Sequence, residues 1–238
     1  MLNIRNLLVL ILVTFVTIAG CSSDEDRKAS HFNKGKAYFE KGEYKSAELE
    51  FKNAIQIDPE YIEANISLGE TYLKLGNPQG AFKAYYRVAE LDQDNLDAQL
   101  KLATFYMLGK NLEKSREHTN LILAKEPDHI DALFLLAGIH GLEKNYSEST
   151  AVYEKILEID GTEGRALSGL AQVYVQQGKT AEAEDLLKRA INLDTDAVKP
   201  KLALFGLYVK LKEYEKAEKL IQAAIQKNPE DSDLYIIL

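Results

Sequence analysis

The residues best suited to acid–base chemistry or metal binding are the four histidines, His31, His118, His129 and His140. No two of them stand four residues apart, the spacing that places two imidazoles on one helical face of a zinc hydrolase. Asp128, His129 and Asp131 are close together in the sequence and are metal-ligand types, but aspartates at such a turn also cap helices. We therefore predict helix capping by the two aspartates, packing for His140, and neither a metal site nor a cofactor.

Other patterns of catalytic chemistry are missing from the sequence. No serine or cysteine stands with a recognisable base and orienting acid, and no glycine loop with a lysine is placed to hold phosphate. The formal charge of −8 and the pI of about 5.2 argue against the basic surface that a phosphate backbone requires. The sequence thus predicts no enzymatic activity, no nucleic-acid partner and no small-molecule substrate.

The elements that carry these residues come from a unit of thirty-four residues, repeated six times between residues 28 and 231 without insertion or deletion. Position 8 of the unit starts as Gly35 and Gly69, stays small, and ends as Phe205. Position 11 is Tyr38, Tyr72, Tyr106, His140, Tyr174 and Tyr208. Position 20 is Ala47, Ala81, Ser115, Ser149, Ala183 and Ala217. Positions three or four residues apart share one helical face, so each unit is predicted to be two helices whose backbones meet at positions 8 and 20.

The predicted helix pairs follow the same period. Their bounds are 29–41 and 44–57, 62–75 and 78–91, 96–108 and 112–125, 130–143 and 146–159, 164–177 and 180–193, and 198–211 and 214–227. Glycines just past the first helices predict left-handed caps at Gly42, Gly76, Gly109 and Gly178. Prolines end second helices at Pro59, Pro127 and Pro229.

These recurring small and aromatic residues resemble the tetratricopeptide repeat (TPR), over all but the first twenty-seven and last seven residues. The resemblance implies an all-α fold, a right-handed superhelix of six helix-turn-helix repeats at 28–61, 62–95, 96–129, 130–163, 164–197 and 198–231. Residues 232–238 would open a seventh repeat. Because Tyr235 and Leu238 are apolar where a solenoid normally has a polar cap, we expect a longer protein that continues past Leu238.

The N-terminus predicts a secreted, lipid-anchored protein. The apolar run from Leu7 to Ile18 is short for a membrane span and is typical of a signal peptide, here residues 1–20. It ends in Ile18, Ala19, Gly20 and Cys21, which resembles the lipobox of bacterial lipoproteins and implies a lipid on Cys21, the only cysteine. An uncleaved anchor with an incidental cysteine is the alternative. Residues 21–27 read as a flexible tether, and Ser22 favours the periplasmic face of the outer membrane over the inner membrane.

The TPR resemblance implies a concave groove lined by positions 2, 5, 9 and 12 of the first helices. The predicted groove residues at positions 5, 9 and 12 are Phe32, Ile66, Leu100, Thr104, Met107 and Phe134. Position 2 changes sign along the array and would orient a ligand with unlike ends: Glu63, Asp97, Asp131, Arg165 and Lys199. The alternative is that positions 5 and 12 pack between repeats. The Lys and Asn of a carboxylate clamp at positions 5 and 9 are absent from the pairs Phe32 with Lys36 and Leu100 with Thr104.

These features predict a membrane-anchored, non-enzymatic scaffold that binds proteins or peptides of an envelope assembly or export pathway. Residues 51–56, ahead of Asp58 and Pro59, are similar to the first repeat of lipoproteins of PEP-CTERM/exosortase exopolysaccharide systems. Two alternatives stay open. The chain could be an outer-membrane pilotin or assembly factor for pili or secretion pores, or the substrate-recruiting arm of an enzyme that follows Leu238.

Overall fold

The computed structural model describes residues 23–194 and 197–227, and all regular elements there are α-helices. In order they are α1 Asp24–Glu40, α2 Tyr44–Ile57, α3 Ile62–Lys74, α4 Pro78–Leu91, α5 Leu96–Leu108, α6 Leu112–Lys125, α7 Ile130–Leu142, α8 Tyr146–Ile159, α9 Gly164–Gln176, α10 Thr180–Leu193, α11 Val198–Lys210 and α12 Tyr214–Lys227. Eleven of the twelve start where predicted, and the period of thirty-four residues is confirmed. The predicted signal peptide, Cys21, Pro229 and residues 232–238 lie outside the described residues.

Helix α1 begins five residues before the predicted start. The Ser23 hydroxyl accepts a hydrogen bond from the Asp26 N–H, and the Asp26 carboxylate accepts one from the Ser23 N–H, both at 3.1 Å. This reciprocal capping box satisfies two donors that a helix start leaves unpaired. The Lys28 ammonium also lies 2.8 Å from Asp58 on the turn after α2. The predicted flexible tether is therefore wrong for residues 24–27, which are helical.

A residue with left-handed backbone follows each first helix. It is glycine in three repeats, with φ of 77°, 67° and 78° at Gly42, Gly76 and Gly178. In the other three repeats a lysine takes the same place, with φ of 60°, 64° and 62° at Lys110, Lys144 and Lys212. The predicted cap at Gly109 is wrong, because the conformation belongs to the next residue, Lys110.

Aspartates organise most of the turns from one repeat to the next. The Oδ1 atoms at position 31 accept backbone N–H bonds of 2.9 to 3.1 Å inside four of these turns, at Asp58, Asp92, Asp160 and Asp194. An aspartate side chain that bonds two or three residues ahead copies a backbone turn. In these four turns the aspartate fixes the direction in which the chain leaves the second helix, also where the turn has no proline.

The chain divides into two compact units, Met1–Ala98 and Gln99–Leu238. In the first unit, Ala47, Phe51 and Leu68 form a buried cluster. In the second unit the largest cluster joins α9, α10, α11 and α12 through residues such as Leu187 and Leu204. None of the helices in the described ranges is both long enough and apolar enough to cross a bilayer.

The residues at position 8 are small in the first two repeats because a ring from the second helix lies over them. A methyl group added at Gly35 would come within 2.6 Å of the Phe51 ring, and one at Gly69 within 2.9 Å of the Tyr85 ring. Both distances are far below van der Waals contact. In the last repeat the aromatic residue is at position 8 itself. Phe205 packs there against Ile221 of the second helix, which is aliphatic.

Position 20 lies against the backbone of the first helix. All six residues there are buried, with Ala47, Ala81, Ser115, Ser149 and Ala183 at 0% exposure and Ala217 at 3%. The hydroxyls of Ser115 and Ser149 donate to the carbonyls of Ala103 and Ala137, at 2.8 and 2.9 Å. Those carbonyls belong to position 8, so the two helix backbones do approach each other at these positions.

Candidate protein-binding site

The histidines act as structural residues. The Nδ1 atoms of His31 and His118 lie 2.6 Å from Glu50 and Gln99, respectively. Burial lowers the pKa of His118 and of His140, which favours the neutral imidazole. His140 is half-buried, as expected for packing.

The turn before α7 is built differently from the prediction. His129, not an aspartate, caps the helix, since its Nδ1 accepts the N–H of Ala132 at 3.3 Å. Asp128 pairs with Lys155 at 2.9 Å, and Asp131 pairs with Arg165 at 3.2 Å. Across the part of the chain that the structure describes, no three His, Cys, Asp or Glu side chains are grouped to hold a metal ion.

The rings at position 11 are half-buried at Tyr38, Tyr72, Tyr106 and Tyr174, and buried at Tyr208. Lysine ammonium groups lie 5.0 to 5.6 Å from the ring centroids of Tyr72, Tyr106, Tyr174 and Tyr208. The Tyr208 hydroxyl donates to Glu184 at 2.9 Å, and burial, followed by this bond, raises the pKa of Tyr208 to about 12. The Tyr208 ring therefore joins α11 to α10 through its protonated hydroxyl.

Of the predicted groove residues in the first unit, the apolar ones are half-buried and the acidic ones are exposed. The Phe32 ring lies 5.8 Å from the Phe51 ring and 5.0 Å from the Tyr61 ring, and it packs on the buried cluster. Ile66 is half-buried. Glu63 and Asp97 are exposed at position 2. Both ring partners of Phe32 belong to the first repeat, so its ring packs in the core of the first unit and is not an open groove surface.

In the second unit Leu100, Thr104, Met107 and Phe134 are all half-buried. The Thr104 hydroxyl donates to the Leu100 carbonyl at 2.8 Å, so its polar atom is engaged within α5. Phe134 meets the Tyr153 ring edge-on at 6.2 Å, and its face is covered by the Arg165 guanidinium at 4.4 Å. A covered Phe134 presents less open apolar surface than predicted.

Arg165 also changes the predicted charge pattern. Its guanidinium lies 3.2 Å from Asp131 and 3.0 Å from Glu163. The hydrogen bond from Arg165 holds the pKa of Glu163 below its usual value. The Arg165 charge is therefore compensated within the site, and of the two position-2 cations only Lys199 is left unpaired by the described residues.

A cleft of about 1170 Å³ lies between α9 and α11. Its base is apolar, with Val175, Leu187 and Leu207 among the lining residues. The cleft is also lined by polar and cationic residues: Ser168, Gln172, Gln176, Lys199 and Lys210. Of the predicted groove residues, Arg165 and Lys199 line this cleft, whereas Leu100 and Phe134 do not, and its remaining lining residues were not predicted. The signal for the cleft was the pair of small residues Ala203 and Gly206 on α11.

This arrangement of paired helices with an open, mixed apolar and polar cleft defines a helical-repeat scaffold. Tetratricopeptide repeat models match residues 73–139 with 175–237, and 128–196, and a TPR repeat model matches residues 35–76. The chain belongs to the tetratricopeptide repeat family, an all-α solenoid of helical repeats. Proteins of this family are generally non-catalytic scaffolds that bind protein or peptide partners.

Solved structures share this fold. A tetratricopeptide repeat protein from Parabacteroides merdae is 21% identical with a TM-score of 0.79, over 89% of this chain and 84% of that one. PilW, a widely conserved type IV pilus biogenesis factor, is 16% identical with a TM-score of 0.73, over 88% and 97%. YrrB, a TPR protein with an unusual peptide-binding site, is 16% identical with a TM-score of 0.62, over 73% and 89%. A search of the curated proteins found no match.

Proposed function

We propose that the chain is a membrane-anchored scaffold that holds a segment of an envelope protein in the cleft between α9 and α11. The observation that carries this proposal is the cleft itself, about 1170 Å³ of open volume with an apolar base and polar walls. Such a mixture suits a peptide, whose side chains need apolar contacts and whose backbone needs hydrogen bonds.

The lipobox-like end of the leader supports the anchor. Cys21 would carry the lipid, and Ser23 already caps α1. Only Ser22 then separates the modified cysteine from the first capped helix. The repeats would therefore stand close to the bilayer on the periplasmic side, where an assembly or export machine could be reached. An exopolysaccharide pathway is one such setting, on the strength of residues 51–56.

Pilus assembly is a second setting, favoured by one observation. The likeness to PilW extends over 97% of that chain, so the two share nearly the whole length of PilW as repeats. A pilus assembly factor that docks a partner in its cleft would use the same surface proposed here. The two settings differ in the partner and not in the site.

The test is a crosslinking pull-down from native envelopes with the cleft filled. Gly206→Leu suits this purpose, because a Cβ at Gly206 meets no atom of a neighbouring helix within 4 Å. The matched control is Ala151→Leu, at an exposed position of α8 outside the cleft. Both variants should give the circular dichroism of the parent protein.

We expect Gly206→Leu to lose envelope partners that the parent protein and Ala151→Leu both retain. Pilus or secretion components among those partners would select the second setting, and polysaccharide export components the first. Identical partners for all three proteins would contradict the proposal that the cleft is the binding site.

A further inference from the structure

We propose that the cleft between α9 and α11 takes an extended acidic peptide with two carboxylates on one face of the peptide, about four residues apart, one bound by Lys199 and one by Lys210. This proposal rests on the proposed function, and it adds the chemistry of the ligand. It depends on the charge that the cleft leaves uncompensated, on the spacing of the two lysines, and on the side chains between them.

The cleft lining has more positive than negative charges. Three cations, Arg165, Lys199 and Lys210, line it with two carboxylates, Glu163, which is bonded to Arg165, and Asp194, which accepts the N–H of Ala197 at 3.1 Å. Arg165 is engaged by Glu163 and Asp131. Within the described residues, Lys199 and Lys210 have no ion-pair partner, although both line the cleft and are exposed. A ligand with negative side chains would therefore complement the cleft.

The two lysines stand on one side of α11. They are eleven residues apart, which is close to three helical turns and about 16 Å along the axis. Ala203 and Gly206 lie between them on the same side and also line the cleft. We call these four residues the α11 stripe. An extended peptide advances about 3.3 Å per residue and points successive side chains to opposite faces, so carboxylates on one face, about four residues or 13 Å apart, would lie within reach of the two flexible lysine side chains of the α11 stripe.

The middle of the α11 stripe leaves room for a peptide backbone. Ala203 and Gly206 are both exposed, and a Cβ added at Gly206 would meet no atom of a neighbouring helix within 4 Å. On the opposite wall, Gln172 and Gln176 project from successive turns of α9 and are also exposed. A glutamine amide can donate to a peptide carbonyl and accept from a peptide N–H. The walls thus offer backbone hydrogen bonds between two charged ends.

A peptide fits this site better than a nucleic acid does. A nucleic acid presents phosphates at every nucleotide, and its binding needs several cations, whereas this cleft has two uncompensated lysines in a chain of formal charge −8. The apolar residues Val175 and Leu207 at the base also need apolar side chains from the ligand. An acidic segment with aliphatic residues between its carboxylates satisfies both requirements.

The test measures fluorescence anisotropy with a labelled peptide of about ten residues, which carries two glutamates about four residues apart with valine and alanine between them. Its counterpart has glutamine at both glutamate positions. The variant Lys199→Gln with Lys210→Gln removes both cations. The matched control, Lys83→Gln with Lys219→Gln, removes the same charge from exposed sites on α4 and α12 outside the cleft.

We expect the glutamate peptide to bind the parent protein about tenfold more tightly than its glutamine counterpart, and the preference to weaken with salt. The cleft variant should lose this preference, and the control should keep it. Equal affinities for the two peptides would overturn the proposal, as would an unchanged preference in the cleft variant. Equally tight binding of a short single-stranded DNA or of anionic vesicles through the same lysines would also overturn it.

The pull-down separates the two proposals. If Gly206→Leu loses envelope partners while the glutamate peptide shows no preference, the acidic ligand is wrong and the scaffold function stands. If the peptide binds through the two lysines while Gly206→Leu loses no partner, the ligand chemistry stands and the envelope function is wrong.

Discussion

At the scale of single residues, the side chain at position 8 and the second-helix side chain that packs on it fill one space together. A small residue at one of the two sites is therefore found with a larger residue at the other. Where position 8 is glycine, as at Gly35 and Gly69, an aromatic ring fills the space above it. Where position 8 is Phe205, its partner is the aliphatic Ile221. The residue at position 20 cannot vary in size in this way, because it packs against a backbone carbonyl, which is the same whatever the residue that carries it. The residues at position 20 are therefore alanine or serine in all six repeats.

Ala81→Leu tests this constraint. Ala81 is at 0% exposure, so the added carbons would overpack the contact between α3 and α4 and cost about 1 to 3 kcal/mol. For a chain of this size we expect Tm to fall by about 2 to 10 °C. The control Ala37→Leu lies at an exposed position of α1 and should leave Tm unchanged. An unaltered melting curve for Ala81→Leu would mean that position 20 is not a close contact.

At the scale of helices and turns, the first helices end in left-handed backbone whether or not glycine is present. Lysine takes this conformation in three repeats, at Lys110, Lys144 and Lys212. A side chain there crowds its own backbone, which glycine avoids. Half of these turns therefore carry strain that the neighbouring helices must offset.

Lys144→Gly should relieve that strain. We expect the free energy of unfolding, measured with urea, to rise by about 0.5 to 1 kcal/mol. The reverse exchange at the equivalent turn, Gly178→Lys, should lower it by a similar amount, because a Cβ at Gly178 meets nothing within 4 Å and only the backbone is affected. A loss of stability in Lys144→Gly would show that the lysine side chain contributes contacts worth more than the strain.

At the scale of the whole molecule, the proposed role has two parts. The repeats form the cleft proposed for binding, and the predicted signal peptide with its lipobox-like end would determine the location. A protein of formal charge −8 is not drawn to an anionic membrane by its own charge, so a lipid would be needed to keep it there. Two or more acyl chains are sufficient, at about 0.8 kcal/mol per buried CH₂.

Cys21→Ser tests this anchor. Without a thiol no lipid can be attached, and we expect the protein to leave the membrane fraction on cell fractionation. Ser22→Ala, which keeps the thiol, should remain in that fraction. Retention of Cys21→Ser in the membrane would instead favour the alternative, an uncleaved apolar anchor.

The sequence alone determined the helices and their period, because a helix depends on residues three and four places apart. The starts of eleven described helices and the pairing within each repeat were predicted on that basis. Local sequence patterns gave wrong predictions where a single residue determines the backbone conformation. Gly109 looked like a cap although Lys110 takes the left-handed backbone, and the acidic stretch before Lys28 looked flexible although Ser23 caps it.

Only the tertiary structure shows the cleft that we propose as the binding surface. Asp131 and Arg165 are thirty-four residues apart and meet at 3.2 Å, which cancels a charge that the sequence assigned to a ligand. The same guanidinium covers the face of Phe134 and also lines the cleft between α9 and α11. The physical reason is that contacts between repeats determine which side chains of a solenoid are buried or ion-paired. The sequence pattern shows only which residues each repeat needs in order to fold.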